Sequence, residues 1–438
     1  MSRRQLPTVP LDATVDGFTH GGEGVARVEG KAVFVPGTIP GERVRIQVVD
    51  DRKRWARGEL LEVLEASPDR VTPPCPYVPD CGGCDLQHVA TDAQRRLKTR
   101  VVREQLERLG RIADPPVRDT QAVGPDLGYR THAQLHADDD GRLGFHRAAS
   151  HDVVPVERCL VVSEEVQALR DAVGDGTGAD EVALRAHGRT GAAAVELTPG
   201  PGPLEPPGGD FDLLLTQPDG SVVPLRGDGR LAEVVAGRSY GFDVTSFFQV
   251  TTHGAEAAVA AMLHAVGDIS GAVVWDLYAG VGLLSLPLAA AGAEVLAVEG
   301  YAPAAAHARA NATANDLRIE VLTEEVSSVT RRAARGEPPV PGPEADSEAI
   351  EDDTPSPLAI DPPDVVVLDP PRSGAGEGVA ADLAAIGPAT IVYVACDVAA
   401  LARDARVLTE AGYRLLDALP LDLFPMTHHV EVVATFAR

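Results

Sequence analysis

"VVWDLYAGVG", residues 273–282, decides the fold of the carboxyl-terminal half of this 438-residue chain. Apolar positions run through Asp276 and then turn at Gly280 and Gly282, the pattern of a buried strand closed by a glycine turn. Three further stretches repeat the form: "AEVLAVEG" (293–300), "DVVVLDPPR" (364–372) and "ATIVYVACD" (389–397). Alanine-rich helical stretches lie between them. Buried apolar strands alternating with helices predict an α/β fold, a doubly wound parallel sheet, from about residue 246 onward.

In such a sheet a ligand lies beyond the carboxyl ends of the strands. Here those ends carry Asp276, Glu299, Asp369 and Cys396. Glu299 follows Asp276 by 23 residues, near the spacing at which nucleotide folds place an acid against ribose hydroxyls. Leu283-Leu284-Ser285 follow Gly282, so the turn is not G-x-G-x-x-G and a dinucleotide is disfavoured. Without a lysine-bearing phosphate loop, S-adenosylmethionine fits better than ATP or NAD. The glycine pair alone is weak evidence and also reads as a plain tight turn; Glu299 and the stiff Asp369-Pro370-Pro371 turn at matching strand ends favour the ligand.

Working back toward the amino terminus, residues 8–66 alternate apolar and polar positions between Gly-Gly and Pro-Gly turns, which predicts a small five-stranded barrel. "PPCPYVPDCGGCDLQH" (73–88) then sets Cys75, Cys81 and Cys84 in a C-x5-C-x2-C spacing. A tetrahedral soft-ligand site takes four thiolates, and zinc or an iron–sulfur cluster would both accept them. An amphipathic helix follows at about 92–112, with Leu97, Val101, Val102, Leu106 and Leu109 on one face, arginines opposite, and Thr91 or Asp92 as its N-cap. Residues 115–245 read as an α+β region without a single period. Residues 336–364 hold nine acids, eight prolines and no basic residue, the composition of a disordered loop inserted between two strands.

Net charge is −26, which opposes nucleic-acid binding taken as a sum. Its distribution permits it. Basic residues gather at Arg43, Arg45, Arg52, Lys53, Arg54 and Arg57, and again from Arg95 to Arg111. These read equally as solvated faces on an acidic protein. The start, Met-Ser-Arg-Arg-Gln-Leu-Pro, lacks an apolar stretch, no apolar run is long enough to span a membrane, and five cysteines suit a reducing compartment; cytoplasm is the expected location.

Cys396 stands at a strand's carboxyl end just before a helix, where positive potential is expected to favour thiolate. The bland reading is an inert packed thiol. "FPMTHHVE" (424–431) supplies His428, His429 and Glu431. A thiolate and a carboxylate beside S-adenosylmethionine suit methylation of pyrimidine carbon 5: addition to carbon 6 makes carbon 5 nucleophilic, and a base then removes its proton. Two alternatives stand beside this: amine methylation oriented by the "DPPR" stretch, and a non-catalytic RNA-binding iron–sulfur sensor.

Taken together, "THGGEGVARV", "CPYVPDCGGCDLQH" with "QRRLK", "GFHRAASHDVVPVERC", "SFFQV", "DLYAGVG", "LDPPRSG", "CDVAALARD" and "FPMTHHVE" resemble, in order and over nearly the full length, the RNA 5-methyluridine methyltransferases that carry a TRAM barrel and an iron–sulfur cluster. The resemblance implies a TRAM β-barrel at 1–68, a central iron–sulfur and RNA-binding domain at 69–245 and a Rossmann-like class I methyltransferase domain at 246–438. The helix near 92–112 would pack on the last of these. It implies a [4Fe–4S] cluster on Cys75, Cys81, Cys84 and Cys159, Cys396 as nucleophile and Glu431 as base. Gln249, Tyr278, Gly280, Glu299, Asp369 and, less directly, Glu325 would contact S-adenosylmethionine. The implied partner is ribosomal or transfer RNA, its target base rotated out of the stack, bound by a monomer with no membrane and no obligate protein partner. The x5 cysteine spacing separates the chain from radical enzymes with TRAM modules, which use C-x3-C-x2-C. Two positions depart from the family: Cys396-Asp397-Val398 replaces Cys-Asn-Pro, where an adjacent carboxylate is expected to raise the thiol pKa, and Leu283 replaces a polar cofactor contact.

Overall fold

The computed structural model describes residues 9–337 and 362–438, so most of the acidic, proline-rich stretch lies outside the described residues. Strands β1 (Leu11–Phe18), β2 (Gly24–Val28), β3 (Lys31–Val35), β4 (Arg43–Asp51) and β5 (Trp55–Glu65) close a barrel in the order β1-β2-β3-β5-β4. Alternation fills it: Val15, Ala26, Val33, Val44 and Ile46 point inward and form its core.

After the cysteine segment, α1 (Thr91–Arg108) begins at its expected place but is not capped as expected. Ala90 is the N-cap, without a side-chain bond, and Thr91 and Asp92 are already inside the helix. Nor are all its basic residues on the outer face. Lys98 is 2% exposed and Arg95 reaches Asp422 with its Nε at 3.2 Å. Leu109, expected on the buried face, is 38% exposed.

Strands β7 (His132–Ala137), β8 (Leu143–His146), β9 (Val153–Pro155), β10 (Ala179–His187), β11 (Ala192–Pro199), β12 (Asp212–Thr216) and β13 (Val222–Arg226) build a separate seven-stranded sheet. Helix α2 (Glu164–Val173) packs on its β10 strand. The region 115–245 is not wholly one layer, however. Its β6 (Gln121–Ala122) pairs with the edge of the large carboxyl-terminal sheet, and its β14–β15 hairpin (Arg230–Val235, Arg238–Asp243) shares that sheet's core through Leu231, Tyr240 and Phe242.

The large sheet contains β16 (Val273–Leu277), β17 (Glu294–Glu299), β18 (Glu320–Thr323), β19 (Val365–Leu368), β20 (Thr390–Ala395), β21 (Arg414–Asp422) and β22 (Glu431–Ala437). Their order is β18-β17-β16-β19-β20-β22-β21-β6; β16 to β20 are parallel and β22 is antiparallel between β20 and β21. Alternate residues face two cores. Trp275, Leu277, Val366 and Tyr393 pack under α1, α6 (Val326–Ala334), α7 (Gly376–Ile386) and α8 (Val398–Glu410). Val274, Val367 and Val392 pack under α3 (Thr252–Val266), α4 (Ser285–Ala290) and α5 (Ala302–Ala314). Burial on both faces is why these strands read as unbroken apolar runs. The chain reverses direction of winding between β16 and β19, leaving a crevice at their carboxyl ends.

Candidate active site

The turn after β16 is shaped by positive φ at Tyr278 (63°), Gly280 (56°) and Gly282 (91°). At Gly282 a Cβ would also lie 2.9 Å from Leu286, so glycine is required twice over. The Gly280 N–H donates to Glu299 Oε2 at 2.8 Å and the Tyr301 N–H to Glu299 Oε1 at 2.7 Å. Glu299 thereby ties the ends of β16 and β17 together. Glu325, N-cap of α6, sits beside them: a Cβ on Gly300 would lie 3.1 Å from its Oε1. Gln249 is buried in the segment between β15 and α3. Asp276, 1% exposed, accepts from the Ser285 hydroxyl, while its Oδ1 has no partner among the described residues. Burial first, then Asp369 and Glu299, push its carboxyl up to about 7.

Cys396 leaves the end of β20 and Glu431 opens β22. Ala395 pairs with Val432, so continuing that antiparallel register by one residue sets Cys396 opposite Glu431. Asp369 follows β19, its N–H donating to Leu277 O at 3.3 Å, and is half-buried. Glu431 is 2% exposed and its Oε1 is buried without a partner among the described residues. Burial and the Asp369 charge raise its carboxyl well above the ordinary range, and the surrounding protein raises Asp369 too. Two carboxyls that hold protons readily, Glu431 and Asp369, thus act on one thiol.

That thiol is not the thiolate expected from the helix end. Burial, then Glu431 and Asp369, push Cys396 up to about 12, with the Arg372 guanidinium pulling the other way. Desolvation outweighs the potential of the α8 terminus. The carboxylates that dominate come from other strands, not from neighbouring Asp397, whose Oδ1 caps α8 by accepting from the Ala400 N–H at 2.7 Å.

Cys75, Cys81, Cys84 and Cys159 come together around a cavity of about 180 Å³, also lined by Gln87, Arg130 and His132. Among the described residues no group of three or more His, Cys, Asp or Glu is close-set enough to hold one metal ion. Burial pushes Cys81, Cys84 and Cys159 up, Cys84 to about 12. N–H groups turn toward the sulfurs: Gly83 to Cys81 Sγ at 3.5 Å, and Val161 and Val162 to Cys159.

Residues 10–61 match the TRAM domain. An RNA methyltransferase of Streptomyces avermitilis is 35% identical, with 95% of each chain covered. The 23S rRNA (uracil(1939)-C(5))-methyltransferase of Azoarcus sp. is 33% identical, covering 97% of this chain and 99% of its own. The chain belongs to the TRAM-domain RNA 5-methyluridine methyltransferases. The tRNA (uracil-54, C5)-methyltransferase of Pyrococcus abyssi, solved with S-adenosyl-L-homocysteine, shares the fold: TM-score 0.71, 23% identity, 97% of this chain and 99% of that one covered. As a member of this family the protein is an S-adenosylmethionine-dependent RNA (uracil-5-)-methyltransferase, and its barrel and class I α/β sheet are the family's. No helix among the described residues is long and apolar enough to cross a membrane.

Several residues that shape this methyltransferase site were not singled out from sequence. Gln94 on α1 donates to Leu86 O and Val89 O at 3.0 and 2.9 Å and accepts from the Met426 N–H at 2.8 Å. Lys98 pairs with Asp422 and donates to Phe424 O at 3.1 Å. Both hold the 424–431 loop that delivers Glu431. Lys98 lies four residues before Val102, on the apolar face, and that misplaced charge was the available signal. Arg372 and His20 carried no such signal, since only the fold brings them to Cys396 and Asp397.

Proposed function

We propose that the enzyme methylates carbon 5 of a uridine in RNA through a covalent adduct on Cys396, with Glu431 as the base. The observation that carries this reading is Cys396 set across the β20–β22 register from Glu431, whose buried Oε1 has no partner among the described residues, with Asp369 also acting on the thiol. Cys396 gives up its thiol proton and its sulfur bonds to carbon 6, leaving an enolate whose carbon 5 takes the methyl group supplied by the sulfonium of S-adenosylmethionine. Glu431 then removes the carbon 5 proton, and the electrons returned to the ring expel the Cys396 thiolate. Overall one C–H is replaced by C–CH3 and one proton is released. Glu299, Glu325, Asp369, Tyr278, Gly280 and Gln249 are assigned to the cofactor, because they surround the strand ends where the class binds it.

The relatives named for a 23S rRNA uridine, 33% and 32% identical over nearly full length, make a ribosomal RNA uridine the first substrate to test, and the cytoplasm the place of action. Transfer RNA is the other arm of that test. Incubating each RNA with labelled S-adenosylmethionine and digesting to nucleosides should give 5-methyluridine. Cys396→Ala should bind S-adenosylmethionine yet transfer nothing. Label on a base nitrogen, or turnover by Cys396→Ala, would reject the mechanism.

We further assign Cys75, Cys81, Cys84 and Cys159 to a [4Fe–4S] cluster. The donor set is all-sulfur, and a cavity of about 180 Å³ exceeds the roughly 30 Å³ share of one water, let alone a bare ion. Four thiols around a space this large, yet not close-set around one point, suit a multi-atom group better than one zinc. When bound, such a group would brace the 73–88 segment; the methyl transfer itself moves no electrons.

A further inference from the structure

The turn between β1 and β2 carries a barrel side chain to the nucleophile's neighbour. His20 Nε2 lies 3.5 Å from Asp397 Oδ2, across 377 positions of sequence, with both side chains about one-third exposed or less. The turn is held rigidly. The Thr19 N–H donates to Glu23 O at 2.8 Å, and the Glu23 N–H to Thr19 Oγ1 at 3.0 Å. Gly22 has φ 79°, and a Cβ there would lie 2.9 Å from the His428 Cβ and 3.0 Å from Asp85 Oδ2. The barrel turn is therefore seated against the same 424–431 loop that carries Glu431.

Asp397 divides its two oxygens. Oδ1 accepts from the Ala400 N–H and caps α8, while Oδ2 faces His20. This carboxylate sits one residue from a thiol that Glu431 and Asp369 already oppose in becoming thiolate. A further negative charge turned toward the sulfur would add to that opposition.

We propose that His20 is a positioning residue for the nucleophile: by facing Asp397 Oδ2 it keeps that carboxylate directed away from Cys396, which makes the TRAM barrel part of the catalytic centre as well as an RNA-binding module. The inference rests on the reading of Cys396 as nucleophile. Asn at 397 would still cap the helix, since Asn and Asp are equivalent N-caps, but would carry no charge to restrain. His20 should then matter only while residue 397 is a carboxylate.

The test is a double-mutant cycle on the full-length holoenzyme with a uridine-containing ribosomal RNA fragment, measuring kcat, KM for RNA and the rate of adduct formation with the 5-fluorouridine version. His20→Ala should lower kcat and adduct rate about tenfold, the equivalent of one pKa unit in thiolate population, with KM for RNA held within about twofold. In the Asp397→Asn background the same change should cost less than about twofold, and His20→Gln, which keeps an N–H donor, should recover most of the loss. A raised KM with unchanged kcat would make His20 an RNA contact only. Equal losses in both backgrounds, or no recovery by His20→Gln, would overturn the coupling. Turnover by Cys396→Ala would instead reject the nucleophile itself, a result separable from any outcome of the cycle.

Discussion

Lys98 and Asp422, 2% and 0% exposed, form an ion pair between α1 and the end of β21. Burial pulls the lysine down while Asp422 holds it up, and the same ammonium donates to Phe424 O. Arg95 Nε stands on the other carboxylate oxygen at 3.2 Å. The helix that follows the cysteine segment is thereby fastened to the loop that delivers Glu431, which joins the amino-terminal half of the chain to its chemistry.

Removing one partner leaves the other charged and buried. Asp422→Ala should destabilise the protein by about 3–5 kcal/mol, whereas Lys98→Met combined with Asp422→Leu should recover most of that loss. Urea denaturation of the three proteins checks it. A single mutant as stable as the parent would show that the pair is not the fastening described.

Glu431→Gln should separate the two halves of the reaction. Addition and methyl transfer need only Cys396 and the cofactor, but elimination needs the carbon 5 proton removed. The expected result is a protein–RNA adduct that survives denaturing electrophoresis and disappears in Glu431→Gln/Cys396→Ala. Normal turnover by Glu431→Gln would move the base elsewhere.

The ligand-free thiol at about 12 has consequences for its reactivity. Only the thiolate alkylates, so the iodoacetamide rate at Cys396 should climb about tenfold per pH unit through pH 8 to 10 without a plateau. On the proposed assignment S-adenosylmethionine would bring a sulfonium cation beside Asp369 and Glu431 and should raise the rate at fixed pH; S-adenosylhomocysteine, uncharged at sulfur, should not. Arg372→Gln should slow alkylation, because its guanidinium pulls the thiol down. Identical rates with both cofactors would show that cofactor charge does not set the thiol.

Asp276 gives the ligand-free protein a pH dependence of definite sign. Its folded value, about 7, lies above the ordinary 3.8. Below about pH 4 both folded and unfolded chains hold the proton; as pH rises toward about 7 the unfolded chain ionises first, so stability falls across that window and then levels. Glu431 and Asp369 shift the same way. Urea unfolding at pH 5 and pH 8 should show the fall, and Asp276→Asn should lessen it. An unchanged difference would mean that Asp276 ionises freely in the folded chain.

The four thiols predict a composition. Protein purified without oxygen should carry about four irons and four sulfides per chain, and Cys159→Ser should lose them, with residues 73–88 becoming susceptible to protease. One zinc per chain in place of iron would replace the cluster with a simpler site.

Much of this was legible in the sequence because local pattern and local burial agree. The barrel strands alternate, four of the five parallel strands are largely apolar because both faces are covered, and Glu299, Asp369 and Cys396 fall at or just beyond the ends of those runs. The spacing of three cysteines implied a fourth ligand, and the cavity gathers Cys159 with them. Other things were settled only by tertiary contact. Helix α1 could show its apolar stripe but not that Lys98 would be buried within it, because the compensating carboxylate lies 324 residues away. Neither the thiol's resistance to ionisation nor the approach of His20 to Asp397 follows from neighbours in sequence. Each depends on desolvation and on charges from other strands, and these exist only once the sheet has brought its carboxyl ends, its antiparallel return strand and the barrel to one place.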